Sequence, residues 1–390
     1  MHTICQKNKC TGCGACAATC GKKAIAMLPD DCGYVYPVIN QSLCSDCGLC
    51  REVCPSIHWA LLHYPLENLA MTEKEDLEIL SCASGGAATA LGRTVIKNGG
   101  VVYGCDGTDI RDVHHTRVTD LENLERLKGS KYVQSDLRNT FRLIKNDLKE
   151  ELQVLFIGTP CQVAGLLGYI PHKLRQNLFT IDLVCHGVPS QKMLNDNIDE
   201  YTENKTETCK VSFREKQKIR NTSICNPMHR ITYGWFFQNQ PYGKKICKPF
   251  HKDPYMLGFI SGLTFRVNCY ECRYACIARC ADLTLSDYWG LPENTSFDKG
   301  KGVSNILVNT EQGQMLWNLT APYVSSEQRD IIESLRGNGQ LQAPSAPHPL
   351  HEKFVELYPR IGFAKAVKIC SRRYLMKFHI KNIMQKVFRK

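Results

Sequence analysis

No stretch of the sequence approaches the roughly 20 apolar residues that a membrane-crossing helix needs. Residues 1–10 lack the apolar core of a secretory signal. A cytoplasmic location is therefore expected. Acidic residues are absent from 360–390, where ten Lys and Arg fall. The net charge of +11 sits almost wholly in that tail, and the rest of the chain is close to neutral. Such a tail suits an anionic partner: the anionic inner face of the cell membrane or an acidic protein, with nucleic acid not expected. A composition of 43% hydrophobic and 22% charged residues excludes a disordered or fibrous chain. Its 390 residues leave room for two or three domains.

What the sequence has in excess is cysteine, with 22 residues. In a long chain without an export signal this favours metal ligation over disulfides. The head carries one motif twice: Cys10-x2-Cys13-x2-Cys16-x3-Cys20 and Cys44-x2-Cys47-x2-Cys50-x3-Cys54-Pro55. Three thiolates two residues apart can wrap three corners of a 4Fe-4S cubane, and the fourth Cys of each run reaches the other cluster. The expected sets are Cys10, Cys13, Cys16 and Cys54, then Cys44, Cys47, Cys50 and Cys20. Zinc, the rival metal, needs only four ligands in two pairs and fits eight cysteines in this repeat far less well. Cys5 and Cys32 lie outside the pattern and are expected to be packing thiols.

Residues 1–57 read as this two-cluster ferredoxin-like domain and 58–80 as a linker. The body divides into 81–153 and 154–330, followed by a Gly/Pro/Ser/Gln-rich linker at 331–350 and a basic amphipathic tail at 351–390. The runs 154–157 and 179–184 are short and apolar, like buried strands. Residues 87–97, 121–127 and 138–152 read as helices, the last with Phe141, Ile144 and Leu148 on one face. Alternation of the two makes the body α/β. In the tail, Met376, Ile380, Ile383, Met384 and Val387 fall at helical spacing. That face could rest on a membrane or pack on the body. His114 and His115 have no partner motif and are expected on the surface.

Several short motifs together resemble the coenzyme F420 hydrogenase/dehydrogenase beta-subunit family. They are Ser81-Cys-Ala-Ser-Gly-Gly, Gly129-Ser-Lys-Tyr, Gly158-Thr-Pro-Cys, Val184-Cys-His-Gly and Cys269-Tyr-Glu-Cys272, the last followed by Asp282-Leu-Thr-Leu-Ser-Asp287. The N-terminal two-cluster 4Fe-4S domain is similar to the bacterial branch found in polysaccharide-synthesis gene clusters. The resemblance implies a multidomain α/β (α+β) fold, a ferredoxin-like domain followed by a flavin-binding body. It implies FAD, with Ser84, Gly85, Gly86, Lys131, Tyr132, Gly158 and Thr159 as candidate contacts. Small residues before a helix suit a pyrophosphate, although Gly pairs there are commonly just caps. No G-x-G-x-x-G stands there, so a standard Rossmann site is not supported.

The resemblance further implies cluster ligands at Cys161, Cys269 and Cys272, with Cys185 chosen as the fourth. A local alternative is Cys269-x2-Cys272-x3-Cys276-x3-Cys280, for a cluster or zinc. Cys105, Cys209, Cys225, Cys247 and Cys370 are expected to be packing thiols. His186 is the candidate catalytic proton donor, beside the plainer reading of a structural histidine; Asp287 is structural or lines the site. The expected function is an iron-sulfur flavoprotein oxidoreductase. It would relay electrons from a reduced ferredoxin-like carrier through 4Fe-4S clusters to FAD and a small substrate, in surface-polysaccharide biosynthesis by analogy. The rivals are a non-catalytic electron-transfer subunit and a regulatory or scaffold iron-sulfur protein.

Overall fold

The structure, a computed structural model, describes residues 3–201, 209–213, 215–216, 231–232, 234–239 and 244–387. In the head, each cysteine loop turns into a short helix, α1 (Ala15–Thr19) and α2 (Leu49–Glu52). Gly14 and Gly48 make those turns at φ 73° and 78°, which a residue with a Cβ rarely adopts. The hairpin β1 (Ile25–Pro29) and β2 (Val35–Ile39) joins the two halves.

The body is built on one eight-stranded sheet. Its strands are β3 (Glu67–Thr72), β4 (Val101–Asp106), β5 (His114–Val118), β6 (Val154–Gly158), β7 (Leu178–Leu183), β13 (Leu283–Asp287), β14 (Ser304–Val308) and β15 (Ser325–Gln328), in the order β15-β3-β14-β13-β7-β6-β4-β5. Strands β4, β6, β7 and β13 are mutually parallel. The remaining pairings in this sheet are antiparallel. Shorter strands β8 (Cys209–Ser212), β11 (Gly234–Asn239) and β12 (Lys244–Pro249) form a separate sheet, and β9 (Glu215–Lys216) pairs with β10 (Ile231–Thr232).

Side-chain alternation assigns the two faces. Val154 and Phe156 of β6 point to one side with Phe141, Ile144 and Leu148 of α6 (Thr140–Lys149) and Val163 and Leu166 of α7 (Pro160–Tyr169). Leu155 points to the other, with Leu91 and Val95 of α4 (Ala87–Lys97) and Leu316 and Trp317 of α10 (Glu311–Thr320). Helices lie on both faces of a sheet with a parallel centre, as the apolar runs predicted. Short helices α3 (Asp76–Ser81) and α5 (Leu121–Leu124) complete these layers.

Three expectations from sequence need correction. Residues 58–80 are more than a linker, because they supply β3, hydrogen-bonded between β14 and β15 with five of six residues buried. Asn68 disguised that strand. Its amide is satisfied inside by the Tyr288 hydroxyl and the Asp330 carbonyl at 3.0 and 2.9 Å, so burial costs little. Residues 331–350 contain α11 (Ile331–Gly337), where Gly337 is demanded by contact: a Cβ there would lie 1.5 Å from the Trp289 carbonyl.

The proposed tail is also largely core. Phe354 and Tyr358 of α12 (His351–Ile361) and Phe363, Val367 and Cys370 of α13 (Phe363–Cys370) pack on α8 (Gln191–Asp199) and α9 (Pro254–Ile260). The most exposed apolar residues of this region are on α14 (Arg372–Val387), Met376, Ile380 and Met384. The side chains of Ile383 and Val387 lie outside the described residues.

The head docks on α6 and α7. Arg142 donates to the Ala17 and Ala18 carbonyls at 2.8 and 3.0 Å, satisfying the end of α1. Gly165 and Gly168, one helical turn apart on α7, permit the approach. A Cβ would lie 2.7 Å from Cys13 Sγ at the first and 2.6 Å from the Val53 carbonyl oxygen at the second. Gly168→Val should therefore cost about 1–3 kcal/mol. The expected readouts are a lower urea midpoint and faster proteolysis in the 58–66 segment; an unchanged midpoint and cleavage rate would contradict this docking.

Candidate functional site

In the head, Cys10, Cys13, Cys16 and Cys54 line one small cavity. Charge on Cys13, Cys10 or Cys54 would oppose ionisation of Cys16, which burial already pushes up. Cys50 stands in the same relation to Cys47, Cys44 and Cys20. The chain thus brings together both four-cysteine groups, each taking its last member from the other motif. Cys5 was expected only to pack, yet it lines the first cavity too. It hydrogen-bonds Cys10 and Cys54, drawing both thiols down to about 6 while its own rises. Nothing in its spacing signalled this. Cys32 does pack, buried with its Sγ 3.7 Å from the Val355 carbonyl oxygen.

A third group forms in the body at the carboxyl ends of the parallel strands. Cys161 lies in the first turn of α7, just past β6, and Cys185 follows β7. Cys269 and Cys272 come from a 3-10 turn at Val267–Glu271 and the residue after it. Burial is the main cause that raises all four thiols, Cys161 to about 12 and Cys185 to about 11. Charges on Cys185, Cys161 and Cys272 would each oppose ionisation of Cys269. Dry thiols that repel one another's charge are stable as thiolates only beside a cation.

The other two cysteines of the local alternative lie beside the same group: charge on Cys276 would oppose ionisation of Cys272, and charge on Cys161 that of Cys280. Cys276 Sγ turns to the Ala278 carbonyl at 3.1 Å, and Cys280 Sγ to the Pro160 carbonyl at 3.5 Å. Tetrahedral zinc, at about 2.3 Å per bond, would need sulfurs about 4 Å apart. Among the described residues, no three of His, Cys, Asp or Glu are grouped to hold one metal ion.

Two buried arginines fix this region. Arg279 (1% exposed) pairs with Asp182 (0%) at 3.1 Å and donates to the carbonyls of Leu183 and Tyr274. It thereby ties the 274–280 loop to the end of β7, between Cys272 and Cys185. Burial raises the Asp182 carboxyl, and the Arg279 charge opposes the rise. Arg266 (0% exposed) donates to the Cys10 carbonyl at 2.8 Å and the Val35 carbonyl at 2.9 Å, joining body to head. It lies over the Tyr36 ring at 4.1 Å, and its charge favours the thiolates of both Cys10 and Cys161.

The candidate flavin contacts occupy the same edge of the sheet but do not converge. Gly85 is wedged between strands, where a Cβ would lie 2.2 Å from the Met71 carbonyl oxygen. Ser84 Oγ donates to the Val303 carbonyl at 2.8 Å. At the start of α4, beside Gly86, stands the buried carboxylate of Glu73, paired with Arg93 at 3.1 Å. An anion of the chain's own thus meets that helix end. Lys131 Nζ donates to the carbonyls of Leu127 and Lys128 at 2.9 and 2.8 Å, and Tyr132 stacks on Phe259. The Thr159 amide donates to Gln162 at 2.9 Å, and Gly158 packs against Phe156. These side chains do not form a cradle for FAD. His186 is exposed after β7, its carbonyl accepting from Ser345 at 2.6 Å.

Comparison with known proteins agrees with this layout. Residues 9–57 match the 4Fe-4S dicluster domain, so the head is an iron-sulfur domain. Residues 152–330 match the family described as the C terminus of the coenzyme F420 hydrogenase/dehydrogenase beta subunit. Two family models thus match separate parts of the chain, one in the head and one in the body. The uncharacterized protein MJ1349 of Methanocaldococcus jannaschii is 24% identical over 190 residues, covering 41% of this chain. The chain spans about half of that relative, 52%. Among solved structures, a xenon derivative of the F420-reducing NiFe hydrogenase complex from Methanosarcina barkeri aligns with a TM-score of 0.46 and 15% identity. That alignment covers 81% of this chain and 93% of the other. No described helix is long and apolar enough to cross a membrane.

His115 also corrects the sequence reading. It is buried, with Nε2 2.9 Å from the Ile157 carbonyl oxygen and Nδ1 3.0 Å from Ser135 Oγ. Burial lowers its pKa from 6.5 to about 4. The unfolded chain therefore takes up this proton first as pH falls. Stability is complete above about pH 6.5 and is lost toward pH 4, on the order of 3 kcal/mol at most. His115→Gln should flatten that part of the urea-midpoint profile, and an unaltered profile would refute the assignment.

Proposed function

We propose that the chain is an electron-relay oxidoreductase in which cysteines of the head and body hold neighbouring 4Fe-4S clusters. The observation that carries this reading is the contact at Gly165, which brings Cys13 of the head against the helix whose first turn holds Cys161. A Cys13 thiolate would also feel charge at Cys161 directly. The proposed ligand sets are Cys10, Cys13, Cys16 and Cys54; Cys44, Cys47, Cys50 and Cys20; and Cys161, Cys185, Cys269 and Cys272. A 4Fe-4S cluster supplies one-electron chemistry when bound. The chain's own part is spacing and charge: Gly165 permits close approach, Arg279 holds the body loop, and Arg266 places a cation between the sets.

A reduced ferredoxin-like carrier remains the proposed electron donor and a small molecule the proposed substrate. His186, exposed beside Cys185, is the proposed proton donor. A flavin finds no cradle in the residues nominated for it, so no step is assigned to FAD. A role in surface-polysaccharide synthesis has only the resemblance behind it. Basic α14 is the proposed membrane contact.

Anaerobic purification with iron, sulfide and flavin measured together tests the reading. About 12 iron per chain is expected, falling by about four in Cys269→Ser. A wild-type value of about eight, unchanged by that substitution, would confine clusters to the head.

One observation favours the subunit reading over a self-sufficient enzyme. Leu61, Tyr64 and Leu66 follow the head within nine residues and are 74%, 74% and 59% exposed. Apolar side chains so placed suit burial by another protein. Steady turnover by the isolated chain with an artificial donor would eliminate that alternative.

A further inference from the structure

A cavity of about 660 Å³ lies between head and body, and the part of it beyond Cys161 and Cys272 has no role in the relay as described. Its walls include Cys5 from the head and Cys161 and Cys272 from the body, so it touches two cysteine sets at once. Lys9, Arg51 and Arg273 also line it, against one acid, Glu271. Lys9 holds that acid at 2.9 Å. Arg51 and Arg273 make no ion pair among the described residues, so the cavity keeps a positive field.

The shape of the wall narrows the ligand further. Arg273 lies over the ring of Trp59, which is 61% exposed. A guanidinium stacked on an indole offers a flat, cationic platform. Nearby, Oδ1 of Asn268 is buried without a hydrogen-bond partner. An acceptor left this way costs stability unless a ligand or water supplies a donor.

We infer that this cavity binds a small planar aromatic anion bearing a hydrogen-bond donor, held between Trp59, Arg51, Arg273 and Asn268. That the ligand meets the relay rests on the function proposed above; that it binds does not.

Calorimetric titration of the anaerobically purified full chain with 3-hydroxy-2-naphthoate tests this, with neutral 2-naphthol as comparator. Saturable binding is expected, weakened about tenfold by Arg273→Ala and by Arg51→Ala, with 2-naphthol weaker by a similar factor. Absence of saturable heat, or equal affinity for both compounds and all variants, would overturn the site. The electron paramagnetic resonance spectrum of the dithionite-reduced protein should change when the naphthoate is bound. Binding with an unchanged spectrum would overturn the link to the relay alone.

Discussion

Arg266 is wholly buried, and no carboxylate pairs with it among the described residues. An isolated guanidinium in a dry interior is costly unless its donors and its charge are both answered. Backbone carbonyls of Cys10 and Val35 and the side-chain oxygen of Gln134 answer the donors. The charge reaches both Cys10 and Cys161, and it favours the thiolate at each. A cation with such neighbours is stable where thiolates gather. Its position ties the fold to the chemistry, because the same side chain that joins head to body stands between the two cysteine groups.

The other contacts serve that junction. Gly165 and Gly168 give α7 a smooth face on which the head can lie, and α7 itself begins at the end of β6 where Cys161 is needed. Thr159 and Gln162 form a reciprocal cap at that start, fixing the first turn. Arg279 and Asp182 do the same for the opposite wall. Their pair is protected from water on every side, so removing either partner would leave the other buried and unpaired. The segments that looked peripheral also matter here. Residues 67–72 complete the sheet, and α12 reaches back to Cys32 in the head.

Cysteine spacing was highly legible because metal ligation constrains short stretches of chain. The crossed grouping of Cys20 and Cys54 followed from the repeat, and the helices at 87–97 and around 141–148 followed from periodicity. The strand at 67–72 was hidden by a buried asparagine, and the packed helices after 351 by their lysines and arginines. Those charges extend outward while Phe354, Tyr358 and Phe363 face in, which net charge cannot reveal. His115 looked exposed for want of a motif, although its partners are a backbone carbonyl and a serine that no motif encodes.

By itself, then, the sequence determined a two-cluster head, an α/β body and a family resemblance, since each depends on local spacing or on the period of apolar residues. Tertiary structure alone decided the rest. It brought Cys161, Cys185, Cys269 and Cys272 from separate segments to one place, with Cys276 and Cys280 beside them. It added Cys5 to the first head group, buried two arginines to hold the walls, and left an open cationic cavity between head and body. The physical reason is that these groupings join residues far apart in the chain. Only packing of the head on α7 and closure of the sheet edges bring them within reach of one another.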